Sequence, residues 1–425
     1  MTSENKAPAG GSIVVVGGGI SGLTTAIEAA EVGYEVYIVE KSPYLGGRVA
    51  QLNQYFPKLC PPTCGLEINF RRIKDNPRIK VLTLAEVEKV EGAPGNYTVS
   101  IRSNPRYVNE KCTCCGECAT ACATELSDDY NFGMNTRKGA YLPFEMAFPA
   151  RFVLSPQIIG TDDARKAKEA CKYDAIDLEM KPKTFDLQAG AIVWATGWEP
   201  YDAKKIDNLG FGQYDNIITN MMMERLAAPN GPTKGKIVRP SDDKEPKSVA
   251  FVQCAGSRDE NHLPYCSYIC CMASLKQATY VRERYPEADI YIFYIDLRAP
   301  GQRYEKFYKT IKADKKVFFV KGKVAEVIED PATKAVTVVA ENAVTGEKTR
   351  QTVDLVVLAT GMQPTAANAK LPADLKYNAD GFIINDFEKG GMFAAGCANK
   401  PADVVSSNQN ATGMALKAIQ TLARK

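Results

Sequence analysis

Ser12-Ile-Val-Val-Val16-Gly17-Gly18-Gly19-Ile20-Ser21-Gly22 is the stretch on which the fold turns. The apolar run Ser12–Val16 predicts a buried strand, and Gly22 to Val32 predicts the helix that follows it. Between them, Gly17-x-Gly19-x2-Gly22 has the spacing of a dinucleotide fingerprint. Gly17 and Gly19 permit the tight turn and the close approach of a pyrophosphate to the helix N-terminus, and Gly22 lets the helix pack on the strand. A second strand, Glu35–Val39, ends in Glu40, placed where an acid grips a ribose hydroxyl. A glycine triplet alone is weak evidence. Strand, helix and acid at the expected distances make it strong.

Further pieces extend this unit. Lys41-Ser-Pro-Tyr-Leu-Gly46-Gly47-Arg48 follows at once. Apolar strands end in Ala195-Thr196-Gly197 and Ala359-Thr360-Gly361, with Pro200 and Pro364 three residues beyond. Met392-Phe-Ala-Ala-Gly396-Cys397 precedes a helix expected to start near Asn408. These pieces resemble the flavoproteins with two dinucleotide domains, the group that includes thioredoxin reductase. The resemblance implies FAD, held by Gly17, Gly19, Gly22, Glu40, Lys41, Gly47, Arg48, Ala195, Thr196, Gly197, Gly396 and Cys397. That group usually has Asp where this chain has Cys397, which puts a hydrogen bond to the ribityl chain in question. The plainer reading is a Rossmann-like unit for NAD.

A second Rossmann-like unit is expected from the strand Lys247–Gln253, the helix Met272–Tyr285 and the strand Asp289–Leu297. Its glycine turn is missing. Cys254, Cys266, Cys270 and Cys271 stand in its place. Nothing there cradles a pyrophosphate, which argues against NAD(P)H as direct reductant. Thiolates at a strand–helix junction suit a cubane cluster, and a helix N-terminus favours the ionised thiol. The plainer readings are four buried thiols or a zinc site, for which adjacent Cys270 and Cys271 are awkward.

Thirteen cysteines in all occupy the chain. The other tight group is Cys112-x2-Cys115-x2-Cys118-x3-Cys122, a bacterial ferredoxin spacing. No second such run stands before Cys171, so one [4Fe–4S] cluster is expected on Cys112, Cys115, Cys118 and Cys171. Cys122 as the fourth ligand is the alternative, and a zinc knuckle a weaker one. Cys60 and Cys64, around Pro61-Pro62, read equally as a redox pair, outlying ligands or packed thiols. Met221–Met223 reads as core, His262 as an exposed loop residue, and Asp296 to Glu305 as a cofactor- or partner-facing loop.

Bulk properties exclude several classes. Hydrophobic residues make up 45% and charged residues 24%, as in ordinary globular chains, and a net charge of +3 gives no reason to expect nucleic acid. One histidine rules out bis-histidine haem and multi-histidine metal sites within the chain. Met1 to Gly11 shows no signal peptide, and no run of about 20 apolar residues predicts a membrane span. A reducing compartment follows, where clustered cysteines serve metals or redox chemistry more readily than disulfides.

The expected fold class is α/β: two Rossmann-like dinucleotide-binding domains of thioredoxin-reductase type with an inserted ferredoxin-like α+β module. The expected divisions are 1–106, 182–245 and 359–425 for the FAD domain, 107–181 for the insertion and 246–358 for the thiol-bearing unit. A flavin plus clusters, the first handling two electrons and the second one, defines an electron-transfer flavoprotein.

Cys254-x-Gly-Ser-Arg258, Tyr265-Cys266-x3-Cys270-Cys271-x4-Lys276, Gly46-Gly47-Arg48-x2-Gln51-Leu52 and Asp296-x-Arg298 together resemble the heterodisulfide reductase A-subunits over nearly the whole chain. That resemblance implies a cluster close to FAD and matches Lys276 to a lysine near the flavin ring. The short form with Cys60-Pro-Pro-Thr-Cys64 is most similar to the A-subunits of quinone-interacting membrane-bound oxidoreductase (Qmo) complexes of sulfate reducers. That implies a cytoplasmic protein attached to the inner face of the membrane through partners. The partners would be adenylylsulfate reductase, a homologous flavin/iron–sulfur subunit, and a membrane haem/iron–sulfur quinone-reactive subunit. Electrons would pass between menaquinone and adenylylsulfate reductase, with bifurcation or confurcation at the flavin left open. The alternatives are a soluble heterodisulfide-reductase-like subunit that acts on a disulfide or sulfur compound, and a non-catalytic scaffold.

Overall fold

A computed structural model describes residues 11–343 and 345–423; of the expectation for Met1 to Gly11, all but Gly11 lies outside them. Ile13–Val16 is the central strand of a five-stranded parallel sheet. Val36–Glu40 and Ile79–Thr83 lie to one side, Ala191–Trp194 and Met392–Ala394 to the other. Strand residues alternate between faces, and here both faces are covered, which explains the unbroken apolar run. Ile13 and Val15 pack on the helices Ile20–Glu31 and Val404–Ala423, while Val14 packs on a meander formed by Ala85–Ala93, Asn96–Ser103 and Lys183–Ala189.

The same plan recurs. Ser248–Ala255 is central in a sheet with Asp289–Tyr294 and Val317–Glu329 on one side and Leu355–Thr360 and Ile217–Thr219 on the other. Val317–Glu329 then continues antiparallel through Val336–Asn342 to Lys348–Val353, giving this sheet its own meander. The two crossing connections, Trp198–Pro200 and Met362–Pro364, pair with each other as a short ribbon.

Several boundaries move. The first helix starts at Ile20, because nothing after Gly19 interrupts it. The last starts at Val404 rather than near Asn408, where the Asp403 carboxylate accepts the Ser406 N–H at 2.7 Å as a cap. The thiol-bearing helix is Cys270–Arg284, so Cys270 and Cys271 form its first turn. The strand expected to reach Leu297 ends at Tyr294, and the expected loop to Glu305 becomes helix at Gln302. That helix, Gln302–Lys312, is anchored by Tyr304 and Phe307 against Phe56, with ring centroids 4.7 and 5.3 Å apart.

Between Ser103 and Lys183 the chain leaves the first meander to form a small α+β body. It holds the helices Glu117–Ala121 and Asp162–Glu169 and the strand pairs Glu125–Ser127/Thr136–Lys138 and Ala140–Tyr141/Val153–Leu154. Its core is Val108, Phe152, Leu154, Ile158, Ala164, Ala167 and Ile176. Tyr130 docks it: its hydroxyl donates to the Ala50 carbonyl at 2.6 Å, and its own carbonyl accepts from Gln51. Arg225, fully buried, donates to Asn131 at 2.7 Å and to the Gln51 carbonyl at 3.3 Å. One guanidinium thus ties the excursion, the Gly-Gly-Arg turn and the helix Asn220–Ala227 together.

Candidate functional site

A cavity of about 490 Å³ opens where the two sheets meet, within the size range of cofactor sites. Gly17, Gly19, Glu40, Lys41, Gly47, Arg48, Ala195, Thr196, Gly197 and Cys397 line it, together with Lys276 from the thiol-bearing helix. The fingerprint glycines are held by contact. A Cβ on Gly17 would stand 2.3 Å from the Ala195 carbonyl oxygen, and one on Gly22 would stand 1.8 Å from that of Gly17. Gly22 and Gly396 do not line the cavity. They let neighbours close behind it, since a Cβ on Gly396 would meet the Ser21 hydroxyl at 2.1 Å.

Glu40 turns both carboxylate oxygens to backbone donors, Gly18 N–H at 2.6 Å and Ser42 N–H at 2.7 Å. Arg48 donates to the Trp198 carbonyl and to Gln51, and burial lowers its pKa. Lys41 is largely exposed, 3.6 Å from Glu199. Cys397 packs its thiol near the Ala402 carbonyl and the Ser407 hydroxyl, and burial pushes it up to about 11. Among the described residues, three buried polar atoms of lining residues have no protein partner, Thr196 Oγ1, Trp194 Nε1 and Gln277 Oε1. Buried polar groups are seldom left unpaired, so these atoms point to a polar ligand in the cavity. The glycine turn, the acid and the orphaned donors fit FAD.

The cavity wall beside Lys276 carries polar groups that the sequence reading missed. Lys276 Nζ lies 2.9 Å from Glu224 Oε1, with side chains 3% and 1% exposed, and also donates to the Gln54 carbonyl. Gln277, Tyr280 and the Asn53 N–H donate to the same carboxylate at 2.6, 3.2 and 3.0 Å. Burial and the Glu224 charge raise the Tyr280 hydroxyl well above its ordinary value. The only sequence signal was the spacing of Lys276 and Tyr280 on one helix face; Glu224 sits in the methionine-rich helix read as core. Met223 is core, but Met221 lines the cavity. His262 is half-buried rather than exposed, because its ring nitrogen shares a 3.0 Å hydrogen bond with the Tyr201 hydroxyl.

Cys254, Cys266, Cys270 and Cys271 gather at the end of the central strand of the second sheet. A bulge there breaks the register between Val252 and Ala255 and places Cys254 at φ +57°. Burial pushes the Cys254 thiol up to about 11, with the Cys271 and Cys266 charges adding to it. Cys270 is raised by burial and then by Cys271, Cys254 and Cys266, so the four lie within electrostatic reach of one another. Ile269, Ala273 and Lys276, on the same stretch of chain, line the large cavity; the thiol site and the cavity share a wall.

Cys112, Cys115, Cys118 and Cys171 line a second, small cavity with Val108, Phe152, Tyr173 and Ile176. Cys122 is turned away: it is buried, with its thiol 3.4 Å from Asp163 Oδ2. Burial and Cys112 push the Cys118 thiol up to about 12. Among the described residues no three His, Cys, Asp or Glu side chains converge as the ligand set of one metal ion. Four-iron clusters bind one thiolate at each of four irons, and each of the two sets offers four thiols. Cys60 and Cys64 stand apart, beside Tyr55, whose hydroxyl is raised to about 12 first by burial and then by Cys60. Among the described residues no helix is long and apolar enough to cross a membrane.

Known proteins share this fold and much of this sequence. Residues 15–80 match the family of NAD(P)-binding Rossmann-like domains. Thioredoxin reductase of Lactococcus lactis has the same fold at 13% identity and a TM-score of 0.54, covering 98% of this chain and 100% of that one. The chain thus has the thioredoxin-reductase fold. It is homologous to the heterodisulfide reductase A-subunits along nearly its whole length. A CoB–CoM heterodisulfide reductase iron–sulfur A-subunit of Methanopyrus kandleri is 40% identical over 422 residues, 96% of this chain and 64% of the relative. The H2:CoB-CoM heterodisulfide,ferredoxin reductase A-subunit of Methanothermobacter thermautotrophicus is 34% identical over 417 residues, 95% of this chain and 63% of the relative. The chain therefore spans under two thirds of the length of these relatives.

Proposed function

We propose that this chain is a FAD and iron–sulfur electron-transfer subunit of a multisubunit oxidoreductase, relaying electrons between the menaquinone pool and adenylylsulfate reductase. When bound, FAD exchanges electrons in pairs and [4Fe–4S] clusters exchange them singly, so the chain joins the two modes. Carrying this reading is the second Rossmann-like junction, where four thiols occupy the place of a phosphate loop and share a wall with the flavin-sized cavity. Cys254, Cys266, Cys270 and Cys271 would hold one cluster, Cys112, Cys115, Cys118 and Cys171 the other. Gly17 and Gly19 would admit the pyrophosphate, and Lys276, fixed by Glu224, would present its ammonium to the flavin.

The division into an FAD domain (1–106, 182–245, 359–425), an insertion (107–181) and a thiol-bearing unit (246–358) belongs to the same reading. So do its partners: adenylylsulfate reductase, a homologous flavin subunit, and a membrane quinone-reactive subunit, with attachment to the membrane through them. Cys60-Pro-Pro-Thr-Cys64 supports that choice within the family. The test is anaerobic purification with FAD, iron and acid-labile sulfide counted per chain, with and without Cys270→Ala. One FAD and about eight irons, falling to about four in the variant, is the expected result. About four irons, unchanged by the substitution, would overturn the cluster at the junction. Quinol oxidation coupled to adenylylsulfate reductase by the reconstituted complex tests the pathway.

A further inference from the structure

Positive charge is concentrated on one stretch of chain, in which Arg298 and Lys316 pair with Asp296 and Asp289 outside it. Residues 298–316 contain seven basic side chains and two acidic ones, a net +5 in a chain whose total is +3, so everything else together is net negative. The helix Gln302–Lys312 lies inside this stretch. Tyr304, Phe307, Tyr308 and Ile311 face the core, and 3.6-residue periodicity turns Arg303, Lys306, Lys309 and Lys312 towards solvent. Both acids are already engaged: Glu305 pairs with Lys309 at 2.7 Å, and Asp314 faces Arg282 at 2.9 Å. Among the described residues Arg303, Lys306, Lys312 and Lys315 are exposed and in no ion pair; Lys312 lies over the Tyr308 ring.

The face is also close to the chemistry. The segment entering the helix is the wall of the Rossmann thiol site, where the Asp296 carbonyl lies 3.8 Å from the Cys271 thiol and the Arg298 backbone approaches the same sulfur. From the other side, Tyr304 packs on Phe56, a residue of the large cavity. A protein seated on this helix would have its redox centre within a few side chains of Cys271. Basic surface of this kind steers and orients an acidic partner through long-range attraction.

We propose that the basic face of helix Gln302–Lys312 docks an acidic one-electron carrier protein that exchanges electrons through the Cys254, Cys266, Cys270 and Cys271 site, an inference that rests on the cluster reading of those thiols. The carrier loses one electron and the iron–sulfur site gains it, or the reverse. No bond or proton changes hands.

The experiment uses the full, anaerobically loaded chain and an acidic two-cluster bacterial ferredoxin as probe, with Kd measured calorimetrically at about 0.05 M and about 0.3 M salt. Lys306→Glu combined with Lys312→Glu is expected to raise Kd about tenfold or more at low salt and to converge on wild type at high salt. Lys348→Glu, exposed on the outermost strand of the second meander, is expected to leave it unchanged. Wild-type affinity in the double variant, or equal weakening by Lys348→Glu, overturns the docking surface. Loss of binding to anionic phosphatidylglycerol vesicles with ferredoxin affinity intact overturns it in favour of a membrane. If affinity is lost on reversal but iron does not respond to Cys270→Ala, the electron route fails and the proposal with it. If iron responds and affinity does not, only the surface fails.

Discussion

In the excursion, Cys115 is exposed, Cys112 and Cys171 are half-buried and Cys118 is buried. At the Rossmann junction, Cys270 and Cys271 are buried, Cys254 and Cys266 half-buried, and none is exposed. The first set is carried by a loop and a five-residue helix, the second by the end of a core strand, a loop and the start of a fifteen-residue helix. Their polar support differs too. Asp163 braces the first, accepting the Thr124 N–H at 2.6 Å beside Cys122, while Lys276, on the helix that starts with Cys270 and Cys271, is paired with buried Glu224 from another helix. One residue type thus serves two settings. The exposed set lies open to another protein, while the interior set stands between the adjoining cavity and the segment that enters the basic helix Gln302–Lys312.

That contrast can be broken most decisively by separating the sets. Cys171→Ser is expected to abolish the paramagnetic signal of the excursion's cluster on reduction, and Cys122→Ser to leave it intact, because Cys122 faces Asp163 rather than its cavity. Spectra in which Cys122 matters and Cys171 does not would reverse the ligand assignment. On the cavity side of the interior set, Gly22→Val should yield chain without FAD. Its side chain would meet the Gly17 carbonyl at under van der Waals distance, which absorbance of the purified protein would register.

Lys276→Ala comes next in size. It leaves Glu224 as a buried carboxylate without its cation, with a cost of roughly 3–5 kcal/mol in denaturant melts, and Lys276→Met with Glu224→Gln should recover most of it. A null result would mean that the pair is hydrated and not part of the interior site's support. The pH response is smaller. In the iron-free chain the folded Cys254 thiol sits at about 11 against an ordinary 9.0. The folded state therefore keeps its proton where the unfolded state has lost it, and stability present below pH 9 declines as pH rises through about 11. Cys254→Ser should flatten that alkaline slope.

The smallest effect belongs to Asp163. Hydrogen bonds from Thr124 hold its carboxyl well below the usual carboxylate range. Its contribution is full above the unfolded carboxylate value and is lost as pH falls beneath it. Asp163→Asn should thus remove part of the acid sensitivity of the excursion, read by proteolysis of that body at low pH, and leave the interior set's iron unchanged.

Local chemistry made much of this legible. The strand–turn–helix at Ile13–Glu31, the missing glycine turn after Ser248–Ala255 and the ferredoxin spacing are all patterns of near neighbours, written in a few consecutive residues. Cysteine identity and spacing alone pointed to two sets of thiols. Helix starts were less legible, as at Cys270 and Val404, because a cap such as Asp403 can override an apolar pattern by a whole turn.

Only the tertiary structure decided the rest. It brought Cys171 to the cavity of Cys112, Cys115 and Cys118 across more than fifty residues, and turned Cys122 aside. It set Glu224 against Lys276, and buried Arg225 where the excursion, the Gly-Gly-Arg turn and a third helix meet. Such pairings have no local period to betray them. They exist because removing a charge from water requires a partner, and which partner is near enough is settled only when distant segments pack.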